Sequence, residues 1–295
     1  MENVQSVYQN ITSSSLSIFV VTCIILYICV RFIIYLMQYS LTTGLTSGVE
    51  LIPGKLSSTN NYVISQTNGE PNIIGISNNE KHGVEFSYTA WLKIDSNSIS
   101  ESKYDISNCN FESTECNKDL IHVFNKGKKY HKTDNNDFSI PNNIIKPNNA
   151  PGVYLANSNN EVVILIYMDV IGTSPSSESK PIIIDNIPIM KWFSLIITAK
   201  SNVLYIYING QLKTFKLFKN SDGTNSVFKQ NYDELIFSDN NISWGTISDL
   251  TYYSRALNGL EIQSTVLLGP NNTEFKINNS TFDETPSYLN NSWYN

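Results

Sequence analysis

A chain of 295 residues that is 41% hydrophobic and only 16% charged, with a net charge of −6, has room for one large all-β domain or two small ones. Its pI of about 5.1 argues against a nucleic-acid-binding face, which needs clustered Lys and Arg to neutralise phosphates. Asn fills about one position in eight, and Ile, Ser and Tyr are also plentiful, a set that shares AT-rich codons.

After a polar tail (residues 1–15), the stretch 16–37, LSIFVVTCIILYICVRFIIYLM, is apolar for the length that a bilayer-spanning helix needs. Its one charge, Arg31, lies towards the C-terminal end, from which it can snorkel to headgroups, and Tyr35 and Tyr39 suit the interface on that side. The alternative is a cleaved signal peptide. Against it, the preceding residues hold no Lys or Arg, and the apolar run exceeds a signal's h-region. Arg31 and Lys55 lean towards a cytoplasmic C-terminal domain. Sequons lean the other way: Asn10, Asn241, Asn271, Asn278, Asn279 and Asn290 each begin N-x-[ST] and become glycan acceptors if the domain is lumenal or external.

Residues 38–60, rich in Ser, Thr and Gly, read as a juxtamembrane linker, and 61–268 read as the folded domain. Short strands are expected in NYVIS and NIIGIS. Residues 83–95, GVEFSYTAWLKID, alternate strictly: Val84, Phe86, Tyr88, Ala90, Leu92 and Ile94 share one face, and Glu85, Ser87, Thr89, Trp91, Lys93 and Asp95 the other. That pattern predicts a half-buried strand. Cys109 and Cys116 close CNFESTEC, a spacing that matches no CxxC zinc or redox pattern, so either a local disulfide or two free thiols is open. DLIHVFNKG, APGVYLA, EVVILIYMD, IPIMKWFSLIITAK, DELIFSD and WGTISDLTYYS are further strands. Residues 203–217, VLYIYINGQLKTFKL, form a hairpin with Asn209-Gly210 at its tip, a pair that supplies the positive φ of a type I′ turn. RALNGLEIQSTVL predicts one short helix with Asn258 as N-cap and Glu261 at the third helical position. Residues 269–295 read as a polar tail, loose or forming an edge strand. Many short strands, little helix and Gly, Pro and Asn turns predict a β-sandwich or barrel preceded by one transmembrane helix, and about 200 residues suffice for a single two-sheet antiparallel sandwich to bury a sizeable core.

The order of these pieces resembles the laminin G-like, concanavalin A-type jelly roll. The resemblance rests on FSYTAWLKI, HVFNKG, KWFSLIITAKSNVLYIYINGQLKTF and GTISDLTYYSRALNGLEI, over roughly residues 83–268. At Phe193-Ser194 many members place a Thr-His pair instead. In this frame Trp91, Trp192, Tyr205 and Tyr207 build the sheets, and Asp249 and Arg255 pair or cap backbone at the end of the last strand. Glycosidases on this fold carry a Glu-x-Asp-x-x-Glu strand, and this chain contains no Glu-x-Asp at all. His82, His122 and His131 match no metal spacing. No catalytic residue and no cofactor is therefore assigned. Laminin G-like domains often bind calcium through loop oxygens, which makes Asp222 and Asp239 candidate ligands.

The chain is also similar to single-pass jelly-roll proteins of large cytoplasmic DNA viruses. That resemblance implies a virion structural protein, a minor capsid component linking inner membrane and shell. Its partners would be the lipid bilayer, through residues 16–37, and capsid proteins. The alternative is a membrane-anchored lectin that binds glycans at the sandwich rim.

Overall fold

The computed structural model describes residues 18–36, 47–67, 72–75, 77, 83–95, 120–127, 149–158, 161–171, 181–220, 222–239 and 243–277. They fall into two compact units that divide at Ser47/Gly48. In the first, helix α1 (Ile18–Leu36) has 19 residues with a mean hydropathy of 2.6 in its most apolar window, and none of that window is buried. At 1.5 Å per residue it is about 28 Å long, close to the thickness of a hydrocarbon core. Cys23 and Cys29 are free thiols on its surface.

The second unit is the expected two-sheet antiparallel jelly-roll sandwich. Its strands are β1 (Val49–Ile52), β2 (Leu56–Ser57), β3 (Tyr62–Ile64), β4 (Glu85–Ile94), β5 (Ile121–Lys126), β6 (Gly152–Ser158), β7 (Glu161–Tyr167), β8 (Val170–Ile171), β9 (Ile182–Ile184), β10 (Trp192–Lys200), β11 (Val203–Ile208), β12 (Gln211–Leu217), β13 (Val227–Phe228), β14 (Leu235–Phe237) and β15 (Gly245–Tyr253), followed by helix α2 (Gly259–Leu268). The first sheet runs β1-β15-β4-β10-β11-β12, with β2 also on β15, and the second runs β3-β14-β5-β6-β7-β9; β8 and β13 pair separately. Aromatic rings fill the core: Tyr88 of the first sheet packs on Phe124 of the second at 6.2 Å, Phe86 on Phe228 of the separate β8–β13 pair at 6.3 Å, and Phe237 of the second sheet edge-on to Trp244, just before β15, at 6.0 Å.

Two expectations are corrected, and one open choice is decided. The segment 38–60 is not a linker throughout, because β1 and β2 lie in it and bury Leu51, Ile52 and Leu56 in the core. These strands are short, but β15 supplies their partners from 200 residues away. The described part of the C-terminal tail is not loose but takes the other expected form, an edge pairing: Glu274 bridges Lys55 in parallel, Lys55 N donates to Thr273 O, Phe275 N donates to Lys55 O, and the Phe275 ring packs against Tyr62. Finally, β4 is not half-buried. Ser87, Thr89 and Trp91 are buried although they point away from the inter-sheet core. For Ser87 a hydrogen bond identifies a covering segment, since its Oγ accepts from Leu257 N just before α2.

Candidate contact surface on the first sheet

Helix α2 starts where the sequence places it. The Asn258 side chain accepts from Glu261 N at 3.0 Å, and the Glu261 carboxylate accepts from Asn258 N at 2.9 Å, a complete capping box. The same carboxylate takes a bidentate pair from Arg255, at 2.7 and 2.8 Å. Arg255 therefore latches the helix, while Asp249 accepts from Asn271 N and Ser248 Oγ; the two cap different segments and do not meet. Burial raises the Asp249 carboxyl above its ordinary value, against these hydrogen bonds. The hydrogen bonds from Arg255 hold the Glu261 carboxyl below its ordinary value, against the opposing effect of burial. Because that folded-state value is depressed, the latch contributes stability above the unfolded-state value and loses it as pH falls through the folded one. Replacing Glu261 by Gln should cost about 1–2 kcal/mol at neutral pH and remove part of the stability loss on acidification below the ordinary glutamate range, as read from urea midpoints across pH.

At the other side of the helix is the hairpin tip. Asn209 and Gly210 have φ of 50° and 75°, the left-handed pair that a type I′ turn requires. Asn209 Oδ1 accepts from Ser194 N, and Gln263 Nε2 of α2 donates to Gly210 O at 2.9 Å. A Cβ at Gly210 would lie 3.1 Å from Val266 Cγ2, so tip and helix are in close contact.

These ties leave two apolar surfaces bare. On α2, Leu260, Leu267 and Leu268 are 63%, 85% and 74% exposed. On the hairpin, register places Val203 against Leu217, Tyr205 against Phe215 and Tyr207 against Leu212, all turned away from the inter-sheet core. Phe215 is 61% exposed, and its ring lies 6.2 Å from Tyr205. Trp192 is half-buried on this same outer face rather than in the core. The helix and the hairpin were legible in the sequence, but the outward turn of their leucines was not, because periodicity gives a pattern without naming the face that packs.

The other predicted site residues are separate. Asp222 is exposed in the turn after β12, where its carboxylate accepts from Thr224 N and Oγ1, and these bonds lower its carboxyl from the ordinary value. Asp239 follows β14, accepts from Asn61 Nδ2, and donates its N–H to His122 Nδ1. No group of three His, Cys, Asp or Glu that could hold a metal occurs among the described residues. Asn271 uses its side chain locally: Nδ2, the atom a glycan would occupy, donates to Pro53 O at 2.8 Å. Cys109, Cys116, Asn241, Asn278 and Asn290 lie outside the described residues.

A narrow cleft opens where the sheets part, between Tyr88 and Tyr252 on one side and Lys126, Gln230 and Tyr232 on the other. Lys126, at the end of DLIHVFNKG where the sequence suggests a solvated Lys-rich loop, is instead buried. Its ammonium donates to Asn231 O, Asn231 Oδ1 and Asp233 O, which clamps the loop before β14. Burial lowers it to about 8, against the pull of Asp233.

No protein-family model matches the chain, and no curated protein matches it. Among solved structures, it is similar to the botulinum neurotoxin serotype D ligand-binding domain in complex with N-acetylneuraminic acid, at 14% identity and a TM-score of 0.42, over 73% of this chain and 42% of that one. It is similar to the serotype G binding domain at 14% identity and a TM-score of 0.38, over 72% and 46% of the two chains. The binding domain of Paraclostridial Mosquitocidal Protein 1 gives 15% and 0.36, over 72% and 42%. The chain thus spans less than half the length of each of these structures.

Proposed function

We propose that the chain is a non-catalytic single-pass membrane protein whose sandwich makes protein–protein contacts, as a minor capsid component that links an inner membrane to a shell. The observation that carries this reading is the helix-borne set Leu260, Leu267 and Leu268. Leu260 lies in the first turn, latched by the capping box and the Arg255–Glu261 pair, and Leu267 and Leu268 lie in the last, where Gly269 N donates to Val266 O, so the helix shows solvent an apolar contact at both ends. The membrane-length helix α1 and the resemblance to viral jelly-roll proteins support the anchored, virion part.

The test is crosslinking mass spectrometry on particles stripped of lipid by detergent. The expected result is that the chain stays with shell proteins in high salt and crosslinks to them around residues 259–268. A Leu267→Glu, Leu268→Glu double variant should lose that retention at unchanged thermal stability. Release of the chain with the detergent-solubilised lipid would defeat the proposal. The second reading, a glycan-binding module, is favoured by Tyr232, which stands 77% exposed at the cleft mouth beside the amides of Gln230 and Asn231. Retention of the full chain on a glycan array, lost in Tyr232→Ala, would select that reading.

A further inference from the structure

We infer that the edge hairpin β11–β12 is a docking surface for an anionic lipid bilayer. The first observation is charge segregation. Residues 200–221 contain four lysines, Lys200, Lys213, Lys216 and Lys219, and no acid, in a chain whose net charge is −6. Lys200, Lys213 and Lys219 are exposed and Lys216 is partly so, its ammonium lying 4.8 Å from the Phe218 ring centre. One acid from the facing sheet enters the edge: Asp185 pairs with Lys213 at 3.0 Å and is itself two-thirds exposed. The second observation is that two of these lysines, Lys213 and Lys216, alternate along β12 with Leu212, Phe215 and Leu217, all three exposed. Apolar side chains flanked by long cationic ones are the composition that enters the headgroup region, with the rings and leucines in the acyl boundary and the ammoniums at the phosphates.

The alternative occupant, a partner strand added to the edge of β12, fits less well. The register of β12 shifts between Ile206 and Tyr207, so that Lys213 is an extra residue in the ladder. A bulge and edge lysines are the devices that blunt strand addition, and neither hinders a fluid lipid surface.

Register also fixes where this edge lies. Val49, Tyr252, Tyr88, Ile197, Ile206 and Thr214 form one row across the sheet. The hairpin edge is therefore level with the start of β1 and five strand spacings, about 24 Å, from it. Edge-on docking also leaves α2, on the face of the sheet, turned sideways to a protein neighbour.

Hydrogen–deuterium exchange on the full chain in proteoliposomes tests the inference. Amides of residues 211–217 should exchange several-fold more slowly in phosphatidylcholine vesicles containing phosphatidylglycerol than in phosphatidylcholine alone. The difference should shrink in 0.5 M salt and vanish in a variant with Lys200, Lys213, Lys216 and Lys219 all changed to Gln. Exchange in β4 serves as the folding control, and Phe215→Ser, which removes the ring and keeps every charge, should weaken the protection by itself. Equal exchange in the two vesicles overturns the inference. So does protection that arises only when a detergent-extracted shell fraction is added, which would assign the edge to a protein. Neither result bears on the crosslinks at 259–268, so the two surfaces stand or fall separately.

Discussion

Gly245→Ala should destabilise the sandwich by about 3 kcal/mol or more, through backbone strain and overpacking together. Gly245 opens β15 at φ 148°, and a Cβ there would lie 2.0 Å from the Lys93 carbonyl oxygen and 3.1 Å from Ile94 Cα. Both are backbone atoms of β4, so no rotamer change relieves the overlap. The site also ties β2 to the start of β15: the Ser58 hydroxyl accepts from Trp244 N and Gly245 N, and Ser58 N donates to Gly245 O. Gly223→Ala is the matched control. Its φ of 84° is equally unfavourable to a side chain, but a Cβ there meets nothing within 4 Å, so it should cost only about 1 kcal/mol. Urea midpoints of the two variants measure the difference, and equal midpoints would refute the close approach of β15 to β4.

Phe124→Ala should cost about 3–5 kcal/mol, the range for removing a buried aromatic ring. Phe124 is fully buried on β5 and touches Tyr88 across the sandwich. For a domain of this size, that loss lowers the melting temperature by roughly 10 °C. Phe215→Ala, the same substitution on the exposed hairpin face, should stay within about 0.5 kcal/mol. A Phe215 variant as unstable as the Phe124 variant would show that the hairpin side chains belong to the core, which would remove the basis for docking there.

How much of this was legible depended on the range of the interaction. The Asn209-Gly210 turn and the Asn258–Glu261 capping box are contacts within four residues, and local spacing specified both. The period-two alternation of β4 gave its inner face correctly. Its outer face was misread because Ser87, Thr89, Trp91 and Lys93 look like a solvated row. The group that buries Ser87 is the backbone of Leu257, 170 residues on. β1 and β2 escaped for a related reason, being too short to show a period and held by a strand from the far end of the chain. Asp222 and Asp239 were recognisable as loop acids, but whether such acids converge is a property of the fold: Asp222 bonds Thr224 in its own turn, while Asp239 accepts from the distant Asn61.

The clasp at Lys55 has a mechanical consequence. Any tension arriving along the chain from the side of α1 enters the sandwich at Gly48, through a four-residue edge strand held on one side by β15. An edge strand pulled outward unzips one bond at a time, the weakest way to load a sheet. Just past it, residues 273–275 bind Lys55 on both its backbone groups, and Glu274 pairs with its ammonium at 3.6 Å. The far end of the chain thus forms a catch behind the strand that bears the load, and peeling must stop there until both segments yield together.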